Sequence, residues 1–498
     1  MGLIIRQSFK ASISNYLGFA LGFLSLFILF PLFFTPVELG AVRLFIELGS
    51  VLSAFALMGT NSSINRFFPY FKTADQKHHG FFFWALVIPA IGFLFLTLIL
   101  FISGDSFFVF LNENALEYKS LFPMLICLIF INVYIMVTEV SCANHGRIAL
   151  TNFSKEVVMR IFIVLSGCLF YFKIISFDTC IWLIVASYGI TLILNFFFLS
   201  RLTAINLRPD FNFLKENKKL TKEIALFSLV LIFSALSSFV VPKIDFFLVS
   251  KLQKDFSNVA IYSIGFYLAT FIEIPKRTIL QISLPIISSQ LKENRMNDLD
   301  NLNKKNGTNQ LIISSLLFFL IWLNIDNMYA IMPRGDFFAQ GKWVVFIIGL
   351  SKVMDSVNSA YSPIVAFSNL YKWVPYTVAA NSIVSVIINY FFIGLYGYIG
   401  GAISNIILML LVNVFYVLLI HKKLKINPFE KNQLKIVFVF LIFLSISFWG
   451  NWFSNPFIDG FVRTSILGIL FVWSIIQLKI SDDFNNLILS KLNYFNKK

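Results

Sequence analysis

The chain has 498 residues, of which 58% are hydrophobic, 17% aromatic (61 Phe) and only 13% charged. A soluble domain carries ~25% charged residues, so a soluble enzyme, a disordered chain, a fibre and a disulfide scaffold are excluded, and a polytopic membrane protein remains. The formal charge of +15, from 40 Lys+Arg against 25 Asp+Glu, is what the cytoplasmic loops of such a protein accumulate and does not call for nucleic acid.

Apolar runs bounded by polar clusters predict an all-α protein with fourteen transmembrane helices, over 13–34, 41–62, 81–103, 120–141, 156–174, 180–200, 223–250, 259–283, 309–325, 342–366, 374–394, 398–420, 434–452 and 461–480. Barrel strands would alternate every second residue, and these runs do not. Arg6 and Lys10 precede the first run, which is too long for a signal peptide and reads as a retained helix. Lys and Arg crowd the loops after spans two, four, six, eight and twelve, whereas Glu38, Asp105, Glu113, Glu117, Asp178, Asp326 and Asp459 mark the opposite face. That separation requires an even span count and places both termini in the cytoplasm.

The basic connection at 201–222 divides the first six spans from the next six. The expected organisation is an N-lobe over 1–205, a C-lobe over 206–425, and a terminal helix pair with its tail over 426–498. A faint internal echo supports two repeats: Glu38-Leu39-Gly40 leads through a span to Phe67-Phe68-Pro69, and Asn258-Val259-Ala260 leads through another to Leu284-Pro285.

Catalytic signatures are missing. The nearest approach to a nucleotide-binding loop, Gly335 to Gly341-Lys342-Trp343, is one residue too long and has Trp where Ser or Thr should hold Mg²⁺. The four histidines have no metal-ligand spacing, and the four cysteines read as buried thiols. No cofactor or metal is expected. The outer loop with Asp105, Glu113 and Glu117 is the one candidate for acid–base chemistry, but lack of bases on that face is already explained by topology.

Ionisable residues inside spans are more informative, because each costs ~2.5–3.5 kcal/mol at a helix centre and tends to face a bundle interior or a wet cavity. Span two carries Arg43 and Glu47, four apart on one helical face. Glu139 lies in span four and Arg160 in span five. Span seven holds Pro242-Lys243-Ile244-Asp245, span eight Glu273 and Pro275-Lys276-Arg277, and span ten Lys352 and Asp355. The prolines free backbone carbonyls, as at helix breaks that line cavities. Arg43, Lys243, Lys276, Arg277 and Lys352 are the candidate ligands of an anionic cargo. Glu47, Glu139, Asp245, Glu273 and Asp355 are candidates for ion coupling (H⁺ or Na⁺) or for structural ion pairs.

Four stretches then carry a resemblance: Phe34-Thr35-Pro36-Val37-Glu38-Leu39-Gly40 into a span followed by Asn65-Arg66-Phe67-Phe68-Pro69; Lys243-Ile244-Asp245-Phe246-Phe247; Val259-Ala260-Ile261-Tyr262 through Ile274-Pro275 to Leu284-Pro285; and Tyr396-Gly397-Tyr398-Ile399-Gly400-Gly401-Ala402. In their order they resemble the Wzx-type polysaccharide (O-antigen) flippases of the multidrug/oligosaccharidyl-lipid/polysaccharide exporter superfamily. The resemblance implies two six-helix lobes around a central cavity plus two further helices. It implies a bacterial inner-membrane flippase that carries an undecaprenyl-diphosphate-linked glycan by alternating access, among membrane lipids and other polysaccharide-assembly proteins.

Drug exporters of the superfamily often place an acid in the first span, and residues 13–34 have none. Lipid II flippases carry Arg-rich motifs around the first span that are also missing. An ion-coupled exporter and a membrane glycan polymerase or glycosyltransferase stay open as alternatives. The charge pattern makes one prediction directly: a cytoplasmic reporter fused within 208–222 is active and one fused within 105–119 is silent, and the reverse pattern overturns the topology.

Overall fold

The computed structural model describes residues 14–73, 77–111, 113–219, 221–222, 224, 241, 243–358, 360–427, 429–481 and 484–485. Arg6, Lys10, Pro242, most of the seventh predicted span and the basic tail lie outside these residues. Among the described residues every regular element is helical and there is no strand.

Ten stretches are long and apolar enough to cross a bilayer, or eleven if one pair bent by 46° counts as a single span. Three predicted spans fall outside that set for identifiable reasons. One lies mainly on undescribed residues. The helix over 148–171 is continuous but carries Lys155, Glu156 and Arg160. Lys431–Ser447 has 17 residues.

The chain divides into two compact units, 1–263 with 378–401, and 264–377 with 402–498. In the first unit, α1 (Ser14–Phe33) is followed by α2 (Pro36–Ala56). A capping box starts α2: Glu38 N–H donates to Thr35 Oγ1 at 3.3 Å, and Thr35 N–H donates back to Glu38 Oε2 at 2.8 Å. Met58 and Gly59, at φ 47° and 75°, end the α2 segment before the predicted residue 62, and α3 (Thr60–Phe71) begins anew. Then follow α4 (Phe81–Ser103), α5 (Phe122–Asn144), α6 (148–171, with a π turn at Ser154–Val158) and α7 (Phe177–Leu202). After α7 the connector folds back on the α3–α4 turn. His78 Nε2 lies 2.8 Å from Thr203 Oγ1, and His79 stacks on Phe213 at 4.0 Å. His79 also meets Asp210 at 3.0 Å. The Asp210 carboxyl titrates below its ordinary range because it accepts the Phe213 amide and faces His79. Asp210 thereby caps the short α8 (Phe211–Glu216). Next come α9 (Ile244–Gln253) and α10 (Phe256–Thr270).

The second unit holds α11 (Ile274–Lys292), α12 (Met296–Trp322), α13 (Ile325–Ile331), α14 (Lys342–Ser356) and α15 (Tyr361–Phe367). Helix α16 (Trp373–Tyr396) belongs mostly to the first unit and α17 (Tyr398–Leu424) mostly to the second, which also holds α18 (Lys431–Ser447) and α19 (Pro456–Gln477). The bend between α12 and α13 frees backbone carbonyls, and Arg463 of α19, only 4% exposed, donates to one of them, the Leu323 carbonyl. Asp459, one turn earlier and fully buried, accepts from Asn327 Nδ2 at 2.6 Å and from the Trp452 amide at 2.6 Å. The outer-face acid predicted at 459 is therefore a structural clamp.

Gly40 explains part of the first motif. A Cβ at this position would run into the Phe256 carbonyl, so α2 and the start of α10 touch only because residue 40 has no side chain. Gly40→Ala is expected to cost about 1–3 kcal/mol through forced separation. Gly394→Ala, where nothing lies within 4 Å, is expected to be neutral or slightly stabilising. Thermal unfolding in detergent compares the two, and equal effects would overturn the close approach.

Candidate functional site: carboxylates that each hold two cations

In the first unit the 3.6-residue repeat puts Arg43 over Glu47, with Arg43 Nη2 3.1 Å from Glu47 Oε1. Lys243, just before α9, reaches the other oxygen of the same carboxylate. Glu47 is 7% exposed, so one buried carboxylate carries two cations and the triad keeps a formal charge of +1. The Arg43 Nε is buried without a partner. Two residues beyond Lys243, buried Asp245 accepts the Phe246 amide at 2.9 Å and the Tyr262 hydroxyl. Tyr262 packs against Gly401, where a Cβ would stand 3.1 Å from the ring.

Two further pairs involve residues in or near the spans of this unit. Lys155 Nζ lies 3.0 Å from Glu139, and Arg160 lies 2.7 Å from Glu156. Sequence reasoning singled out Glu139 and Arg160 but neither partner. The four-residue step from Glu156 to Arg160 was the available signal.

The second unit repeats the motif with different residues. Glu273 accepts Arg277 Nε at 3.0 Å and Lys352 Nζ at 2.6 Å. Three residues along α14, Asp355 holds Lys276, and Asn413 Nδ2 donates to its second oxygen at 3.0 Å. The charges are therefore crossed. The 273–277 segment offers an acid then a base, and α14 offers a base then an acid, so only one register satisfies both bridges. Three cations face two carboxylates, leaving a formal +1 here as well. Arg277 is the open member, with 66% of its side chain exposed against 18% for Lys352.

Each of the five candidate cations thus has a carboxylate partner within its own unit. The surplus predicted from the sequence takes the form of two acids, Glu47 and Glu273, that each hold two bases. Tyr262 and Asn413, which donate to Asp245 and Asp355, are the partners that sequence reasoning missed. Tyr262 sat in a quoted motif, but nothing in its spacing pointed to Asp245. In the acidic segment predicted to face outward, Asp105 pairs with Lys119 at 2.5 Å, both about 60% exposed, and Glu117 is exposed. No group of three His, Cys, Asp or Glu among the described residues could hold a metal ion.

No protein-family model and no curated protein matches the chain. Solved structures do. The lipid II flippase MurJ in an inward closed conformation aligns with 98% of this chain and 99% of its own, at 16% identity and a TM-score of 0.71. An inward-facing multidrug resistance MATE family transporter of the MOP superfamily aligns with 85% of this chain and 95% of its own, at 14% identity and a TM-score of 0.55. The Vibrio cholerae MATE transporter VcmN aligns with 85% and 97%, at 12% identity and a TM-score of 0.53. The chain is therefore a multi-span helical membrane protein with the fold shared by MurJ and the MATE transporters. These neighbours are transporters and flippases rather than enzymes.

The shared carboxylate predicts an asymmetry. Glu47→Gln strands two half-buried cations and is expected to cost about 3 kcal/mol, more than Lys243→Gln, which leaves Glu47 its arginine. The double variant should recover at least ~1 kcal/mol of the sum of the single effects. Additive losses in detergent unfolding would show that the bridge is not formed.

Proposed function

We propose that this protein is a Wzx-type flippase, which moves an undecaprenyl-diphosphate-linked oligosaccharide across the bacterial inner membrane by alternating access for surface polysaccharide assembly. The observation that carries the reading is the pair of over-coordinated carboxylates, Glu47 and Glu273, one in each unit of an otherwise apolar chain. A cation that shares its carboxylate can turn to a phosphate oxygen without leaving the acid unpaired. In the first unit that cation is Lys243. In the second it is Arg277, whose guanidinium is already open. A phosphate oxygen offers a charge-assisted hydrogen bond to either cation. The prenyl chain needs only lipid, so no covalent step is required.

Asp245 is the natural coupling acid. Its direct partners are a hydroxyl and an amide, so taking up a proton strands no bridged cation. Glu139, Glu273 and Asp355 each bridge a base and fit structural roles better.

The MATE-like fold favours one alternative, an ion-coupled exporter of small molecules. Export of lipid-linked glycan distinguishes the two. Lys243→Gln and Arg277→Gln are each expected to lower it about 10- to 100-fold, the loss of one charge-assisted bond, while membrane insertion is kept. Normal surface glycan in both variants overturns the site. Intact glycan with altered drug tolerance on deletion favours the exporter.

A further inference from the structure

The connector after α7 carries a surface that the transport reading leaves unused. It leaves α7 at Leu202 and turns at once onto the start of α4. Gly80, at φ 66°, has no room for a side chain there: a Cβ would stand 2.4 Å from the Arg208 carbonyl oxygen and 2.9 Å from the Asp210 nitrogen. His79 stacks on Phe213 and meets Asp210, and Phe71 packs on Phe213 with ring centroids 5.0 Å apart. Phe211 stands edge-on to Trp84 at 5.9 Å. The connector is therefore pinned over 208–213 rather than a free tether. Helix α4 has 23 residues, or roughly 34 Å at 1.5 Å per residue, which matches the ~30 Å hydrocarbon layer. Its first turn stands at the edge of that layer, and so does the segment docked on it.

Topology alone accounts for bases in such a loop, but not for what lies between them. Leu207 is 57% exposed and Phe211 54%. Around them Arg208, Lys215, Lys218 and Lys219 are exposed. The acids of this stretch are Asp210, which is engaged by His79, and Glu216. Open apolar side chains set among bases, at the height of the headgroups, complement an anionic bilayer surface: the apolar groups enter the acyl boundary and the bases meet phosphates. An acidic soluble protein would satisfy the bases, but it gives no reason to expose a leucine and a phenylalanine at the hydrocarbon edge.

We propose that the connector at 207–219 is a strap docked on anionic lipid, in the leaflet on the side predicted to be cytoplasmic. Leu207 and Phe211 enter the interface, and Arg208, Lys215, Lys218 and Lys219 meet lipid phosphates. The Gly80 and His79 contacts set the height at which the strap lies. It owes nothing to Glu47 or Glu273, and it stands whether or not the cargo is a lipid-linked glycan.

The test is protease access to the strap. The full-length protein is placed in nanodiscs of phosphatidylglycerol or of phosphatidylcholine, and chymotrypsin cleavage within 207–214 is followed by mass spectrometry. A neutral soluble substrate in the same tube corrects for protease held by the lipid. Because each base near an anionic surface strengthens binding about fivefold, wild type should be cut at least ~10-fold more slowly in phosphatidylglycerol at low salt. Raising the salt to about 0.5 M, which shortens the screening length to a few Å, should bring the two rates together. Lys215→Gln/Lys218→Gln/Lys219→Gln should be cut equally fast in both discs, and the salt series on wild type keeps the test valid without that variant. Leu207→Ser should speed cleavage about threefold in either lipid, through loss of one inserted side chain. Equal wild-type rates in the two lipids overturn the strap. So does protection by phosphatidylglycerol that survives the triple variant, since the lysines then do not read the headgroups. Cleavage unchanged by Leu207→Ser overturns insertion at the interface.

Discussion

A cation inside hydrocarbon must find an anion, and the geometry of both units follows from that requirement. Seven bases and six acids were placed in or near spans: Arg43, Lys155, Arg160, Lys243, Lys276, Arg277 and Lys352 against Glu47, Glu139, Glu156, Asp245, Glu273 and Asp355. One-to-one pairing would have produced inert bridges. Instead Glu47 and Glu273 hold two bases each, while Asp245 takes a hydroxyl and an amide. In the first unit bases and acids are equal in number, and Glu47 holds two bases because Asp245 holds none directly; in the second, three bases meet two acids, so one acid must be shared.

The backbone features matter because they hold these groups in register. The capping box at Thr35 fixes where α2 begins, and hence which face carries Arg43 and Glu47. Gly40, one turn before Arg43, lets the start of α10 close on α2, and α10 carries Tyr262 to Asp245. Gly401 leaves room for the Tyr262 ring. Three small features of the quoted motifs therefore serve one purpose, to bring an acid and its donors together in a region where misplacement by a turn would leave a buried charge unpaired.

What could be read in advance divides along the same lines. The all-helical membrane class was legible, because hydropathy over 20 residues is a local property. So was the Arg43–Glu47 pair, since four residues on a helix define a face. The bridge from Lys243 to Glu47 was not, because 196 residues separate them and periodicity carries no information over that distance. Helix ends were misread where backbone conformation overrode hydropathy: Met58 and Gly59 stop α2 inside an apolar run. The roles of Tyr262 and Asn413 were invisible for a similar reason. A lone Tyr or Asn in an apolar helix looks the same whether or not its polar group meets a buried carboxylate.

The two doubly bridged acids differ in one respect that bears on mechanism. The carboxylates are similarly enclosed, Glu47 at 10% and Glu273 at 19% side-chain exposure, but Lys243 is 30% exposed and Arg277 66%. Arg277 therefore has open surface for a second partner without giving up Glu273, whereas Lys243 is the more enclosed of the two. Engaging Lys243 demands more, because the lysine must leave a buried carboxylate that keeps only its arginine. On the flippase reading proposed above, each shared carboxylate is thus a place where only a strong anion gains by drawing a base away, which a neutral solute cannot do.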